Sequence, residues 1–240
     1  MARAAGFMKC SALATDYDGT LAWHGAVPDS TCEALERFKD SGRKLLLVTG
    51  RELHDLFSVF HYAKLFDLMV MENGGLLYNP QTQQSEVLAP AVPKSFVDRL
   101  RAEGVRPLSV GHAIVGTQQS YQGLIEGIIR EMAFELQIIL NKGALMVLPA
   151  AVDKASGLSA ALARLAIAPT EVVGVGDAEN DFAFLSLCGR SVAVDNALSA
   201  LKEQVNWVTR GSRGQGVEEL IEGILAEDSA ARTRQTGLEI

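Results

Sequence analysis

The chain has 240 residues, 48% of them apolar and 21% charged, enough for one large domain or for a core plus a small second domain. A net charge of −7 with no basic run argues against a nucleic-acid surface. No window approaches the length of a membrane span, residues 1–9 lack the apolar stretch of a signal peptide, and Cys10, Cys32 and Cys188 lack metal-ligand spacing. Together these features read as a cytoplasmic protein with reduced thiols.

In chain order, a short apolar strand at 13–15 is followed by a helix at 30–41, with Ser30 as its N-cap and Gly42 at its end. A strand at 44–48, a helix at 52–64 and a strand at 68–71 come next. The pattern resumes with a helix at 155–166 and a strand at 172–175. A helix at 181–188 follows, with Asp181 as N-cap, and then strands at 192–194 and 207–209 around a helix at 197–204. A helix at 217–226 closes the pattern, and the polar tail 227–240 reads as frayed. Short apolar strands alternating with helices predict a parallel sheet covered on both faces.

The stretch 80–151 breaks this rhythm. It opens with Gln81, Gln83 and Gln84, and Pro90 and Pro93 punctuate it. A helix at 93–103 and a strand at 108–117 are expected, then a helix with Leu124, Ile128, Met132 and Leu136 at four-residue steps beside Ile125 and Ile129. Two strands, 136–140 and 144–148, flank Asn141-Lys142-Gly143, a hairpin signal. The segment therefore reads as a small α+β cap domain at 80–151, inserted into a core of 1–79 and 152–240.

Four segments carry the chemistry. Asp16-Tyr17-Asp18-Gly19-Thr20 follows the first strand, so two carboxylates sit just past a strand's carboxyl end, where open α/β sheets place ligands. Residues two apart in extended chain point the same way, so Asp16 and Asp18 can address one substrate atom. The others are Val48-Thr49-Gly50-Arg51, Asp153-Lys154-Ala155-Ser156-Gly157-Leu158 and Gly176-Asp177-Ala178-Glu179-Asn180-Asp181, each after an apolar run or opening a helix. In order and type they resemble the four motifs of the haloacid dehalogenase superfamily of phosphohydrolases. The long interval between Thr49 and Lys154, and the run Glu72-Asn73-Gly74-Gly75 before Leu76-Leu77-Tyr78, resemble its Cof-type branch, subfamily IIB.

That resemblance implies a Rossmann-like core with the cap between the second and third motifs. It implies that Asp16 is a nucleophile forming an aspartyl-phosphate, and that Asp18 is the general acid for the leaving oxygen and then the base for water. Mg²⁺ would be held by Asp16, the backbone carbonyl of Asp18 and Asp177, with Asp181 a direct or outer ligand. Thr49 and Gly50 would receive a phosphoryl oxygen, and Lys154 would neutralise the transition state. Arg51 either clamps substrate phosphate or pairs on the surface. Asn180 and Asn196 would hold loops around the metal and Lys154.

Weaker candidates have plain alternatives. Trp23 and His24 fall where the superfamily carries a flap; His54, His61 and His112 show no metal spacing and read as structural or solvated. Gly174-Val175-Gly176 lacks the third glycine of a dinucleotide loop. Lys142 is either an exposed turn residue or a group reaching a substrate anion. The expectation is a Mg²⁺-dependent phosphatase for a small phosphorylated metabolite, a sugar phosphate or a phosphoglycolate-like acid, acting as monomer or homodimer. A phosphomutase of the same superfamily is the rival enzyme, and a non-catalytic phosphate-binding module the rival from another class.

Overall fold

In the computed structural model, which describes residues 10–236, an eight-stranded sheet forms the centre of the larger layer. Its strands are β1 (Ala12–Thr15), β2 (Lys44–Val48), β3 (Leu68–Met71), β4 (Leu76–Asn79), β5 (Gln84–Val87), β10 (Val172–Gly176), β11 (Arg190–Ala193) and β12 (Trp207–Val208). Their order across the sheet is β12-β11-β10-β1-β2-β3-β4-β5. All neighbours from β12 to β3 pair parallel, and β4 and β5 add an antiparallel edge.

Helices α1 (Asp29–Asp40) and α8 (Gly214–Thr236) cover one face, and α5 (Lys154–Leu165) and α6 (Phe182–Leu187) the other. The alternation within each strand sorts the side chains. Leu13, Leu45, Leu47 and Val175 meet Leu35, Phe38, Leu220 and Ile221, whereas Ala12, Ala14, Leu46 and Val48 meet Leu158, Ala161 and Phe184. Because both faces are buried, these strands read as continuous apolar runs in the sequence. Each fully buried leucine contributes on the order of 1.5–3 kcal/mol.

Register decides where the site lies. Thr15 pairs with Leu47 on one side and Val175 on the other, so β1, β2 and β10 end together at one sheet edge. The chain leaves β1 toward β2 and β3 on one side, while β10 to β12 build outward on the other. That reversal of strand order opens a crevice at the ends of β1 and β10.

A second layer contains β6 (Ser109–Val110), β7 (Val115–Gln118), β8 (Leu136–Asn141) and β9 (Ala144–Pro149) in the order β6-β7-β9-β8, all antiparallel. Helices α3 (Lys94–Ala102) and α4 (Gln122–Met132) pack Phe96, Leu100, Ile125 and Ile128 against Val115, Leu145 and Val147 on one face of it. Met146 and Leu148 alternate onto the opposite face. Lys142 and Gly143 turn the β8–β9 hairpin with φ of 47° and 87°, the left-handed pair that a two-residue loop requires.

Several expectations need correction. β5 lies beyond residue 79, where the insert was expected to begin, yet it pairs with β4 and extends the core sheet to Val87. Ser30 does not cap α1: Pro28 occupies that position, and the Ser30 hydroxyl reaches Glu218 instead, 2.9 Å away. The helix at 52–64 shortens to α2 (Leu53–Val59), followed by a separate turn at Ala63–Leu65. The strand at 108–117 divides into β6 and β7. Leu136 belongs to β8, because α4 closes with Ala133 in the left-handed region, and Leu124 is exposed. The helix at 197–204 shrinks to α7 (Ser199–Lys202). The backbone of α8 runs to Thr236 rather than fraying after Ala226. The signal-peptide reading of residues 1–9 and the last four tail positions lie outside the described residues. Among the described residues, no helix is long and apolar enough to cross a membrane.

Candidate active site

The four sequence segments meet at the common end of β1, β2 and β10. Asp16 follows β1 directly, and its backbone N–H donates to the Val175 carbonyl at 3.0 Å, which ties the first loop to β10. Gly19, at φ 90°, bends the chain sharply, and a Cβ there would fall on the Asp177 carboxylate. Leu21 and Ala22 then donate back to the Tyr17 carbonyl.

Lys154 opens α5. Asp153 caps that helix by accepting from Ser156 N–H at 2.8 Å, and Ser156 returns the bond, a reciprocal box that fixes the helix start. Gly157 lets α5 close on the core: a Cβ there would lie 2.5 Å from both the Gly74 Cα and a Val70 methyl. The buried Lys154 ammonium donates to Asp16 Oδ1 at 2.5 Å and to Asp181 Oδ1 at 2.6 Å.

Asp181 is the expected N-terminal residue of α6, but it makes no side-chain cap there. Its carboxylate turns back, with Oδ2 accepting from the N–H groups of Asp177 and Ala178 at 2.8 and 2.9 Å. Both of its oxygens are therefore engaged. Asp177, fully buried, accepts from Thr20 Oγ1 at 3.4 Å and from Asn196 Nδ2 at 3.3 Å, and it pairs with Lys142 of the hairpin. Asn196 also donates to the Gly19 carbonyl at 2.8 Å, so one amide holds two loops.

Carboxylate oxygens of Asp16, Asp177 and Asp181 lie within 4.8 Å of one another. Burial, together with the charges of Asp181 and Asp177, pushes the Asp16 carboxyl up to about 8 against the opposing pull of Lys154. Burial likewise raises Asp177, against the pull of Lys142. Burial would drive Lys154 toward its neutral form, but Asp16 and Asp181 outweigh it and hold the ammonium charged. An all-oxygen donor set with surplus negative charge fits a hard cation. The residues present can thus hold a metal ion.

Asp18 is about two-fifths exposed and bound at both oxygens by Arg51, from Nε at 2.6 Å and from Nη2 at 2.8 Å. Arg51 also meets Asp55 at 2.8 Å and lies over the Tyr17 ring. It pairs within the site rather than on an outer surface. Thr49, buried, accepts from the Arg51 N–H at 3.1 Å. Gly50 packs tightly, since a Cβ would stand 3.3 Å from Met146 Sδ and as close to the Asn73 amide.

A cavity of about 410 Å³ joins these groups to the second layer. Asp16, Asp18, Thr49 and Arg51 line its core side, and Ile114, Asn141 and Met146 line its far side. The Asn141 amide oxygen is buried there without a hydrogen-bond partner. Sequence reasoning missed Asn141, because one amide at a turn carries no distinguishing signal. It also missed Glu72 as a tether. Glu72 and Asn73 adopt consecutive left-handed conformations at φ 53° and 51°. The buried Glu72 carboxylate then accepts from Ala113 N–H at 2.7 Å, and from His112 N–H at 3.1 Å with its ring nitrogen at 3.0 Å. Asn73 is held by Asn180 at 3.0 Å. His112 is accordingly structural, His54 stands at the cavity rim, and Trp23 and His24 line no part of the cavity, Trp23 stacking under Arg213 instead.

Residues 13–122 and 108–221 match the model of the haloacid dehalogenase-like hydrolases, and the chain belongs to that family. It is 27% identical over 230 residues to a phosphoglycolate phosphatase of Methanobrevibacter smithii, an alignment that spans 90% of this chain and 98% of that one. In fold it resembles a haloacid dehalogenase-like hydrolase of Bacteroides thetaiotaomicron, with a TM-score of 0.78, 19% identity and coverage of 90% and 100%. It also resembles a subclass IIB sugar phosphatase of the same superfamily, with a TM-score of 0.71, 19% identity and coverage of 88% and 98%.

The Lys154 ion triad yields a stability prediction. Lys154→Met would leave Asp16 and Asp181 buried without their shared cation, which typically costs about 3–5 kcal/mol. A urea titration of the metal-free protein should show a loss of that order, and an unchanged midpoint would refute the role given to the triad.

Proposed function

We propose that the chain is a Mg²⁺-dependent phosphatase that hydrolyses a small phosphomonoester through an aspartyl-phosphate on Asp16. The observation that carries this reading is the convergence of Asp16, Asp18 and Thr49 on one cavity edge, with Lys154 bonded to Asp16 and Asp177 clustered beside it. Membership of a hydrolase family and the phosphatase names of its relatives and neighbours support it.

Asp16, the Asp18 carbonyl and Asp177 would hold the cation. Asp181, whose oxygens are taken by Lys154 and two backbone N–H groups, would orient Lys154 and the Asp177 loop rather than bind the ion directly. The cation, when bound, would offset the repulsion between the Asp16 carboxylate and an incoming phosphate dianion.

Asp16 attacks phosphorus, and its new O–P bond forms as the bond to the ester oxygen breaks. Asp18 gives the leaving oxygen a proton, and then takes one from the water that attacks the aspartyl-phosphate, releasing phosphate and restoring Asp16. Arg51 holds both Asp18 oxygens in a bidentate contact at the cavity edge. Thr49 and the Gly50 backbone face the phosphoryl oxygens, and Lys154 bears on the charge that builds during transfer.

The same reading treats the inserted layer as a cap that decides substrate identity, with sugar phosphates and phosphoglycolate-like acids as its candidates. Because β5 belongs to the core sheet, the separable unit begins after Leu88 and ends near Val152. The absence of a membrane-crossing helix among the described residues is compatible with a cytoplasmic site of action.

Three outcomes are expected. Asp16→Asn should reduce turnover of p-nitrophenyl phosphate to below about a hundredth of wild type, since loss of a nucleophile commonly costs several orders of magnitude; a milder loss rules out covalent catalysis. EDTA should abolish activity and Mg²⁺ restore it, with Ca²⁺ inhibiting through its looser coordination; full activity in excess chelator contradicts the metal assignment. A protein with residues 90–151 replaced by a short linker should stay folded by circular dichroism, keep some p-nitrophenyl phosphate turnover and lose its ranking among natural phosphates. If the deletion protein keeps that ranking, specificity resides in the core instead.

A further inference from the structure

One charged side chain of the inserted layer enters the catalytic centre. Lys142 sits at the tip of the β8–β9 hairpin, and its ammonium pairs with the buried Asp177 carboxylate and lies 3.5 Å from the Asp18 carbonyl oxygen. These two oxygens belong to the donor set assigned above to the divalent cation. Strand β8 runs beside the turn Glu179–Asp181, so the hairpin is already seated next to the metal-ligating loop.

The geometry leaves room for one cation there. The loop can approach at all because residue 19 is glycine: a Cβ at that position would stand 2.5 Å from the Lys142 ammonium and would also strike the Asp177 carboxylate. A hydrated divalent ion and an ammonium cannot share both oxygens, because each needs them within bonding distance and the two positive charges repel. Lys142 also has somewhere to go. Its side chain is 45% exposed, and its backbone stands in a left-handed turn at the hairpin tip.

We propose that Lys142 is a positioning residue that takes the cation's place, docking the hairpin on Asp177 and the Asp18 carbonyl until a divalent ion displaces it. Metal loading and hairpin docking are then mutually exclusive. The inference rests on the Mg²⁺ reading above, and it adds that the inserted layer senses whether the ion is present.

The test uses the full chain and Mn²⁺ as the probe, with free Mn²⁺ counted by electron paramagnetic resonance. Wild type is compared with Lys142→Gln, Lys142→Arg, Asp177→Asn and, as a control for general charge, Lys94→Gln on the exposed face of α3. If the docked form is populated about four-fifths of the time, removing the competitor should tighten Mn²⁺ binding about fivefold in Lys142→Gln. Lys142→Arg should stay near wild type, and Lys94→Gln should not change the affinity. Hydrogen exchange supplies a readout independent of activity. Amides of residues 141–144 should exchange faster in wild type when Mn²⁺ is added, and should be fast without metal in Lys142→Gln.

An affinity for Mn²⁺ in Lys142→Gln that is unchanged or weaker overturns the proposal while leaving the metal site intact, provided Asp177→Asn loses binding. An equal gain in Lys94→Gln overturns it as well, because the effect would then be one of net charge. If no variant, wild type included, binds Mn²⁺, both this proposal and the metal reading beneath it fail.

Discussion

The constraint on which the rest of this structure depends is the crowding of three buried carboxylates. Asp16, Asp177 and Asp181 approach within 4.8 Å in a place that water barely reaches. Like charges so close in a low-dielectric setting are unstable unless cations are supplied. Lys154 supplies one from the start of α5, and Lys142 supplies another from the hairpin. The elements around the cluster then have readable purposes. The Asp153–Ser156 box pins the helix that carries Lys154. Gly74 and Gly157 let that helix close on the sheet, and Gly19 clears space beside Asp177.

The second dependency is the join between the two layers. Glu72 and Asn73 accept left-handed backbone, which costs of order 1–3 kcal/mol per residue. In that conformation the Glu72 carboxylate holds the 112–113 segment, while Asn73 meets Met146 and Asn180. Gly50 and Met146 pack against the same asparagine. Strain at the end of β3 is therefore offset by bonds that fix the inserted layer over Asp16. The cavity acquires two walls of different origin: a core wall that includes Asp16, Asp18 and Arg51, and a far wall of Ile114, Asn141 and Met146.

Arg51 illustrates how one side chain can order several groups at a cavity edge. Bound to Asp18, Asp55 and the Tyr17 ring, it keeps the exposed Asp18 in a fixed orientation at the cavity edge. The relatives named as phosphoglycolate phosphatases and the structural neighbour named as a sugar phosphatase share this overall scaffold with the chain.

The sequence alone determined the α/β alternation and the order of the four segments that meet at the site. It could do so because strands buried on both faces are continuous apolar runs and because loops at strand ends keep their composition. The Asn141-Lys142-Gly143 turn was legible for a similar local reason, its left-handed requirement. Other features were not local. β5 is exposed and polar, and only pairing with β4 places it in the core sheet. Ser30 has the chemistry of a cap, but Glu218, far along the chain, claims its hydroxyl. Tertiary structure alone decided that Asp181 turns back to Lys154 and the Asp177 loop, that Arg51 binds Asp18, and that Lys142 reaches Asp177. Each of those pairings joins residues whose proximity is set by strand register and layer packing, and neither leaves a mark on the local sequence.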